Sequence, residues 1–225
     1  MGYKELLALQ ARPARPAPRR AGLALPPGFG CGLGAGGFTP SYGQGLRDPS
    51  VTISQIPNGE DGTIATLQKM ADAVLGPEGA HNRDVRLLAQ KIVEGVPNKD
   101  YTAEAGAIFA FMRKEVRYTL DPRGLEWIQT PWWTLLVMGQ GDCDDHATAT
   151  CALATALGHG CGFRTVKGDR SRPNEWSHVY AVIGIRQNGK ELWLPADSTE
   201  KYARLGADPP GAENVPMRTW VVVPA

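Results

Sequence analysis

Apolar residues recur at helical spacing in three consecutive stretches. Ile64, Leu67, Met70, Ala71 and Val74 mark residues 63–75; Val85, Leu88, Ala89 and Ile92 mark 82–93; Ala105, Ile108, Phe109, Met112 and Val116 mark 102–116. Gly76-Pro77 and Gly95-Val96-Pro97 end the first two. An extended segment is expected over 117–122. A fourth helix follows at 143–157, rich in alanine and leucine, with Gly158 and Gly160 expected to terminate it. The period then changes to two. Residues 163–167 read as a strand, and 176–186 alternates, with Val179, Ala181 and Ile183 on one side and His178, Tyr180 and Val182 on the other. Asn188-Gly189 predicts a type I′ hairpin turn into a partner strand at 191–196, and 217–223 reads as a last strand. Helices first, a strand meander afterwards: the layout is α+β.

Residues 1–60 do not fit this pattern. A proline-punctuated basic stretch at 12–20 is followed by a Gly/Pro-dominated one at 26–45, neither of which buries enough apolar surface to fold alone. The expected organisation is therefore an extended arm, 1–60, and one domain, 61–225. An arm of this kind is expected to dock on neighbouring subunits of an assembly. The remaining length supports one core, and a formal net charge of +1 gives no argument for nucleic acid. No run approaches a membrane span of ~18 apolar residues. Four cysteines without a CxxC pair or framework spacing read as reduced thiols and synthesis in a bacterial or host cytoplasm. Cys151 and Cys161 are expected in the core, His81 and His159 in surface loops.

Candidate chemistry gathers at Gly139-Gln140-Gly141-Asp142-Cys143-Asp144-Asp145-His146. Two glycines give a sharp turn and Asp142 an N-cap, so Cys143 sits at a helix start, where free N–H groups stabilise a thiolate and an oxyanion. Three neighbouring carboxylates push the thiol pKa the other way, so a nucleophilic Cys143 needs an imidazole. His178 on the next long strand and Asp197 after the hairpin complete an ordered set: sulfur attacks, imidazole carries the proton, carboxylate orients the imidazole. A two-residue turn at 188–189 places His178 opposite position 199, leaving Asp197 diagonally within reach. Trp132 and Trp133 either wall a cleft or fill the core, and with Gln140 they are candidate oxyanion or cleft residues. Cys143 with His146 and the aspartates invites a metal reading, but no second ligand pair stands at zinc spacing; neither metal nor cofactor is expected.

Three segments, Gly141-Asp142-Cys143-Asp144-Asp145-His146-Ala147, Ser177-His178-Val179-Tyr180 and Leu192-Trp193-Leu194-Pro195-Ala196-Asp197-Ser198-Thr199, resemble the transglutaminase-like superfamily of papain-related cysteine enzymes. The resemblance spans roughly 102–199. It is strongest to small bacterial and bacteriophage members, which share an Arg-Tyr…Asp-Pro segment like 117–122. It implies a papain-like α+β core with N-terminal helices, a central Cys-bearing helix and an antiparallel sheet, and a Cys143-His178-Asp197 triad. Proteases, amidases, transferases and inactive members all belong to that superfamily, so the resemblance selects no reaction. The calcium-site pattern of its animal enzymes is absent. Two functions are expected to compete. One is a cysteine acyl-transfer enzyme acting on a protein or peptide, carried in a phage particle as a variant. The other is a phage tail or baseplate component that uses the fold for docking, which would place it in the virion.

Overall fold

Each of the four α-helices among the described residues begins where a capping side chain or a turn-forming glycine stops the preceding chain. The structure, a computed structural model, describes residues 54–122 and 126–224. Most of the expected arm, and its expected docking contacts, lie outside the described residues. Helix α1 (Glu60–Leu75) starts at Gly59, whose φ of 71° is open to glycine, and carries Glu60 and Asp61 in its first turn. Helix α2 (Arg83–Ile92) is capped by Asn82, whose side chain accepts from the N–H of Asp84 at 2.9 Å. Helix α3 (Tyr101–Glu115) is capped by Asp100, accepting from Ala103 N–H at 3.0 Å.

Helix α4 (Cys143–Ala156) is the centre of the molecule. Every residue from Asp144 to Ala154 is buried. Alanines and threonines keep its surface shallow on all sides, which lets α1, α2 and α3 pack around one half and the sheet cover the other. The sheet is antiparallel throughout, in the order β5-β4-β3-β6. Its strands are β3 (Gly160–Val166), β4 (His178–Gln187), β5 (Lys190–Ala196) and β6 (Met217–Val223). Val179, Ala181, Ile183 and Ile185 of β4 face the main core with α4, while Tyr180 turns to a small second cluster with Val166 and Ala212. The expected alternation of β4 is thus present. The turn is also as expected, with φ of 52° at Asn188 and 75° at Gly189, pairing Gln187 with Lys190 and Ala181 with Ala196.

Two expectations need correction. Gly158 (φ 87°) ends the path of α4, but Gly160 does not terminate it; it opens β3 three residues earlier than the apolar pattern suggested. His159 is no surface residue: it is 6% exposed, with Nε2 2.7 Å from a Glu104 carboxylate oxygen. The connection from α4 to β3 is so short that His159 is drawn across α3. The stretch after Pro131 forms a π-helical turn, Trp133–Met138, closed by Gly139 at φ 59° with its N–H donating to the Thr134 carbonyl. Five-residue hydrogen-bond closure leaves no periodic signature in so short a run. Cys151 and Cys161 are buried free thiols, as expected.

Candidate active site

The π-helical turn delivers the chain into β2 (Gln140–Gly141), which pairs in parallel with β1 (Arg117–Tyr118). That two-residue ladder sets Tyr118 beside Gly141, two residues ahead of Cys143. Gly141 is required there, because a Cβ would meet the Asp145 side chain at 2.4 Å. The Asp142 side chain then caps α4 by accepting from Asp144 N–H at 3.2 Å, and Cys143 is the first helical residue.

Cys143 is half-buried, with its sulfur against the backbone N–H of Val179, the residue after His178 at the start of β4. His178 Nε2 lies 2.8 Å from Asp197 Oδ2. The other Asp197 oxygen accepts from Thr199 N–H (3.0 Å), Thr199 Oγ1 (2.7 Å) and Glu200 N–H (3.3 Å). Asp197 is fully buried, and these donors satisfy it. The structure therefore brings His178 and Asp197 together through the hairpin register predicted from Asn188-Gly189, and sets the Cys143 sulfur against the start of the same strand. With Nε2 committed to Asp197, Nδ1 is the nitrogen of His178 left for proton exchange with a thiol or substrate.

The electrostatics are unusual for a thiol nucleophile. Burial first, then Asp142 and Asp144, push the Cys143 thiol well above its ordinary pKa, only partly offset by the Val179 N–H. Burial works against a charged His178, but the Asp197 carboxylate more than compensates and holds its pKa above the ordinary value. Burial likewise tends to raise Asp197, and the His178 charge with the surrounding donors leaves it below. The ion pair expected of Cys143 at rest is thus opposed by its own loop, because α4 gathers three carboxylates within one turn.

The acidic groups form a cage. Burial raises Asp144 well above the carboxylate range and Asp145 to about 7, although Asp145 accepts from Gln129 N–H at 2.7 Å and Gln129 Nε2 at 2.6 Å. Glu126 and Asp121 are raised as well, burial being the larger cause in each. One oxygen from each of Asp142, Asp144 and Asp145 lies within 4.8 Å of the others, and both Asp144 oxygens are buried without a hydrogen-bond partner. An all-carboxylate set of this kind could hold a hard divalent cation.

Trp132, Trp133 and Gln140, the further candidates, have other partners. The Trp132 indole N–H points to Asp84 Oδ2 at 3.4 Å, and its ring lies 6.1 Å from that of Trp133, tilted by 40°. Trp132 therefore packs toward α2 with its one donor engaged. Gln140 accepts from Arg117 through its side chain and from Gln129 Nε2 through its carbonyl. Two residues that the sequence placed outside the triad lie in the same region. His146, one turn after Cys143, is buried with Nδ1 2.8 Å from Ser198 Oγ, while Nε2 lies beneath the Arg117 carbonyl without a well-formed hydrogen bond. Burial lowers its pKa to about 4, so it is neutral. The Tyr118 ring lies 6.3 Å from the His146 ring. Burial and then the neighbouring Cys143, Asp142, Asp197 and Asp144 push the Tyr118 phenol far above its ordinary range. The one sequence signal for Tyr118 was its place in the Arg-Tyr…Asp-Pro segment.

A family model for the transglutaminase-like superfamily matches residues 86–198, half of the chain. The chain belongs to the transglutaminase-like superfamily. Its matched region runs from α2 to Ser198, and so contains the Cys143 loop, His178 and Asp197. Superfamily membership accords with the mixed helices and antiparallel sheet, the papain-like arrangement that the resemblance implied. Among solved structures, the chain is similar to a candidate protease from Parabacteroides distasonis, with 13% identity, a TM-score of 0.45 and coverage of 73% of this chain and 30% of that one. A candidate cysteine protease from Cytophaga hutchinsonii shares 18% identity at a TM-score of 0.43, over 68% of this chain and 53% of that one. Calcium-bound LapG from Legionella pneumophila shares 17% identity at 0.40, over 63% and 75%. The chain thus spans under a third of the first of these structures and about half of the second. No curated protein matches it.

Proposed function

We propose that the protein is a cysteine acyl-transfer enzyme, an amide or peptide hydrolase or a transamidase, in which Cys143 is the nucleophile, His178 its acid–base partner and Asp197 the group that orients His178. The observation that carries this reading is the 2.8 Å contact between His178 Nε2 and Asp197 Oδ2, made one residue from the N–H that the Cys143 sulfur faces. Because the thiol is held protonated, its proton passes to His178 as sulfur attacks rather than beforehand. The imidazolium formed is stabilised by Asp197 and gives the proton to the leaving amine. Water or an amine then releases the acyl group from sulfur. The substrate class is a protein or peptide, and the exposed Leu120, Trp127, Val137 and Met138, on the segments adjoining β1 and β2, are the apolar side chains available to it.

Labelling by peptidyl acyloxymethyl ketones tests the reading. These probes need a positioned nucleophile and alkylate it. Peptide mass spectrometry should locate the label on Cys143, with Cys143→Ala abolishing it, Cys151→Ala leaving it intact and His178→Ala slowing it by 10²-fold or more, on the order expected for loss of a general base. Equal rates in wild type and His178→Ala would sink the assignment.

A further inference from the structure

A tetrahedral oxyanion at Cys143 would form in unfavourable surroundings. Asp142, Asp144 and Asp197 all lie close by, and Arg117, on the β1–β2 side, is exposed and bound to Gln140. The backbone N–H of Cys143 at the helix start supplies one donor, and a neighbouring side chain can supply a second. The Trp132 indole N–H points to Asp84 at 3.4 Å, and the Gln140 side chain is anchored to Arg117 through its oxygen. Tyr118 is differently placed. The β1–β2 ladder sets it level with Gly141, the Thr119 N–H donates to the Gly141 carbonyl at 2.8 Å, and its ring meets His146 one turn beyond Cys143. The phenol is therefore bracketed by the residues on either side of the nucleophile.

Resting on the acyl-transfer reading above, we infer that the Tyr118 hydroxyl is the side-chain donor to the oxyanion formed when Cys143 adds to an acyl carbonyl. As the S–C bond forms, the carbonyl π pair moves to oxygen, which accepts from Tyr118 Oη–H and Cys143 N–H, while the thiol proton goes to His178. On collapse the pair returns, the bond to the leaving group breaks, and His178 protonates a leaving amine. Tyr118 keeps its proton throughout. A neutral donor suits the site, since it stabilises the oxyanion without adding a charge that the neighbouring aspartates would neutralise at rest.

Two reactions of the same thiol separate this role from a structural one. Acetylation by p-nitrophenyl acetate passes through an oxyanion; alkylation by iodoacetamide does not. In the full chain, Tyr118→Phe should lower the Cys143-dependent burst of p-nitrophenolate on the order of 100-fold, while the iodoacetamide rate stays within about 3-fold, because direct displacement needs no oxyanion donor. Tyr118→Gln and Tyr118→Leu, matched in size and differing in the donor, repeat the comparison without relying on the phenylalanine variant. An unchanged burst in Tyr118→Phe, equal losses in both reactions, or equal acetylation-to-alkylation ratios in the Gln and Leu variants would overturn the role of Tyr118 and leave the acyl-transfer reading standing. If wild type and Cys143→Ala release p-nitrophenolate at the same rate, that reading falls, and the role of Tyr118 with it.

Discussion

At the scale of single residues, His146 shows how burial decides chemistry. Its spacing of three from Cys143 invited a metal reading, yet the helix turns it inward, where Ser198 takes Nδ1 and burial keeps the ring neutral. The folded pKa of about 4 lies below the ordinary 6.5, so between these values the unfolded chain binds a proton that the folded one refuses. Stability from this group is complete above pH 6.5 and declines as the pH falls toward 4. The total is on the order of 3 kcal/mol. Urea unfolding at pH 7 and pH 4.5 should show that loss in wild type relative to His146→Gln. The difference between the two proteins removes the contributions of Asp145 and other shared groups. A His146→Gln protein that loses as much as wild type would contradict it. Cys143 illustrates the opposite limit of sequence reasoning: its helix-start position was legible, but the balance between helix N-terminus and neighbouring carboxylates was decided by how deeply the fold buries them all.

At the scale of elements, local chemistry was a good guide wherever a segment carried its own signal. Asp142 caps α4 as expected, and Asn188-Gly189 sets the β4–β5 register on which the His178–Asp197 contact depends. Elements without such signals were missed: the π-helical turn, the β1–β2 ladder, and the start of β3 at Gly160-Cys161-Gly162. That last case has a steric cause. Strand β3 is central, and β6 shifts register against it between Cys161 and Gly162. A Cβ at Gly162 would lie 2.5 Å from the Trp220 carbonyl and 3.2 Å from Val182 Cγ2. Glycine is there for close approach, and not as a break. Gly162→Ala should therefore cost about 1–3 kcal/mol in denaturant unfolding, with hydrogen exchange in β6 accelerated more than in β5. A loss confined to a few tenths of a kcal/mol would mean that β6 moves aside freely.

At the scale of the whole molecule, the described residues 54–122 and 126–224 contain a continuous core running from α1 through α4 to the sheet. Glu60 at the start of α1 accepts from the Trp176 indole at 2.9 Å and pairs with Arg218 of β6, so the first helix is fastened to the sheet edge. A chain of residues 54–225 should accordingly unfold in one cooperative transition, with a midpoint within a few degrees of the full chain. A broad or much lower transition would show that residues 1–53 belong to the fold. The amino-acid sequence by itself determined the order of the four α-helices and the four strands of the main sheet, the helix start at Cys143 and the hairpin that aligns His178 with Asp197. Each rests on interactions within a few residues, namely periodicity, caps and a glycine-dependent turn. Only the tertiary structure decided which donor faces the Cys143 sulfur, that Trp132 turns to Asp84, that His146 holds Ser198, and that Tyr118 stands beside Gly141. Those outcomes depend on burial and on contacts between segments far apart in the chain, which no local pattern encodes.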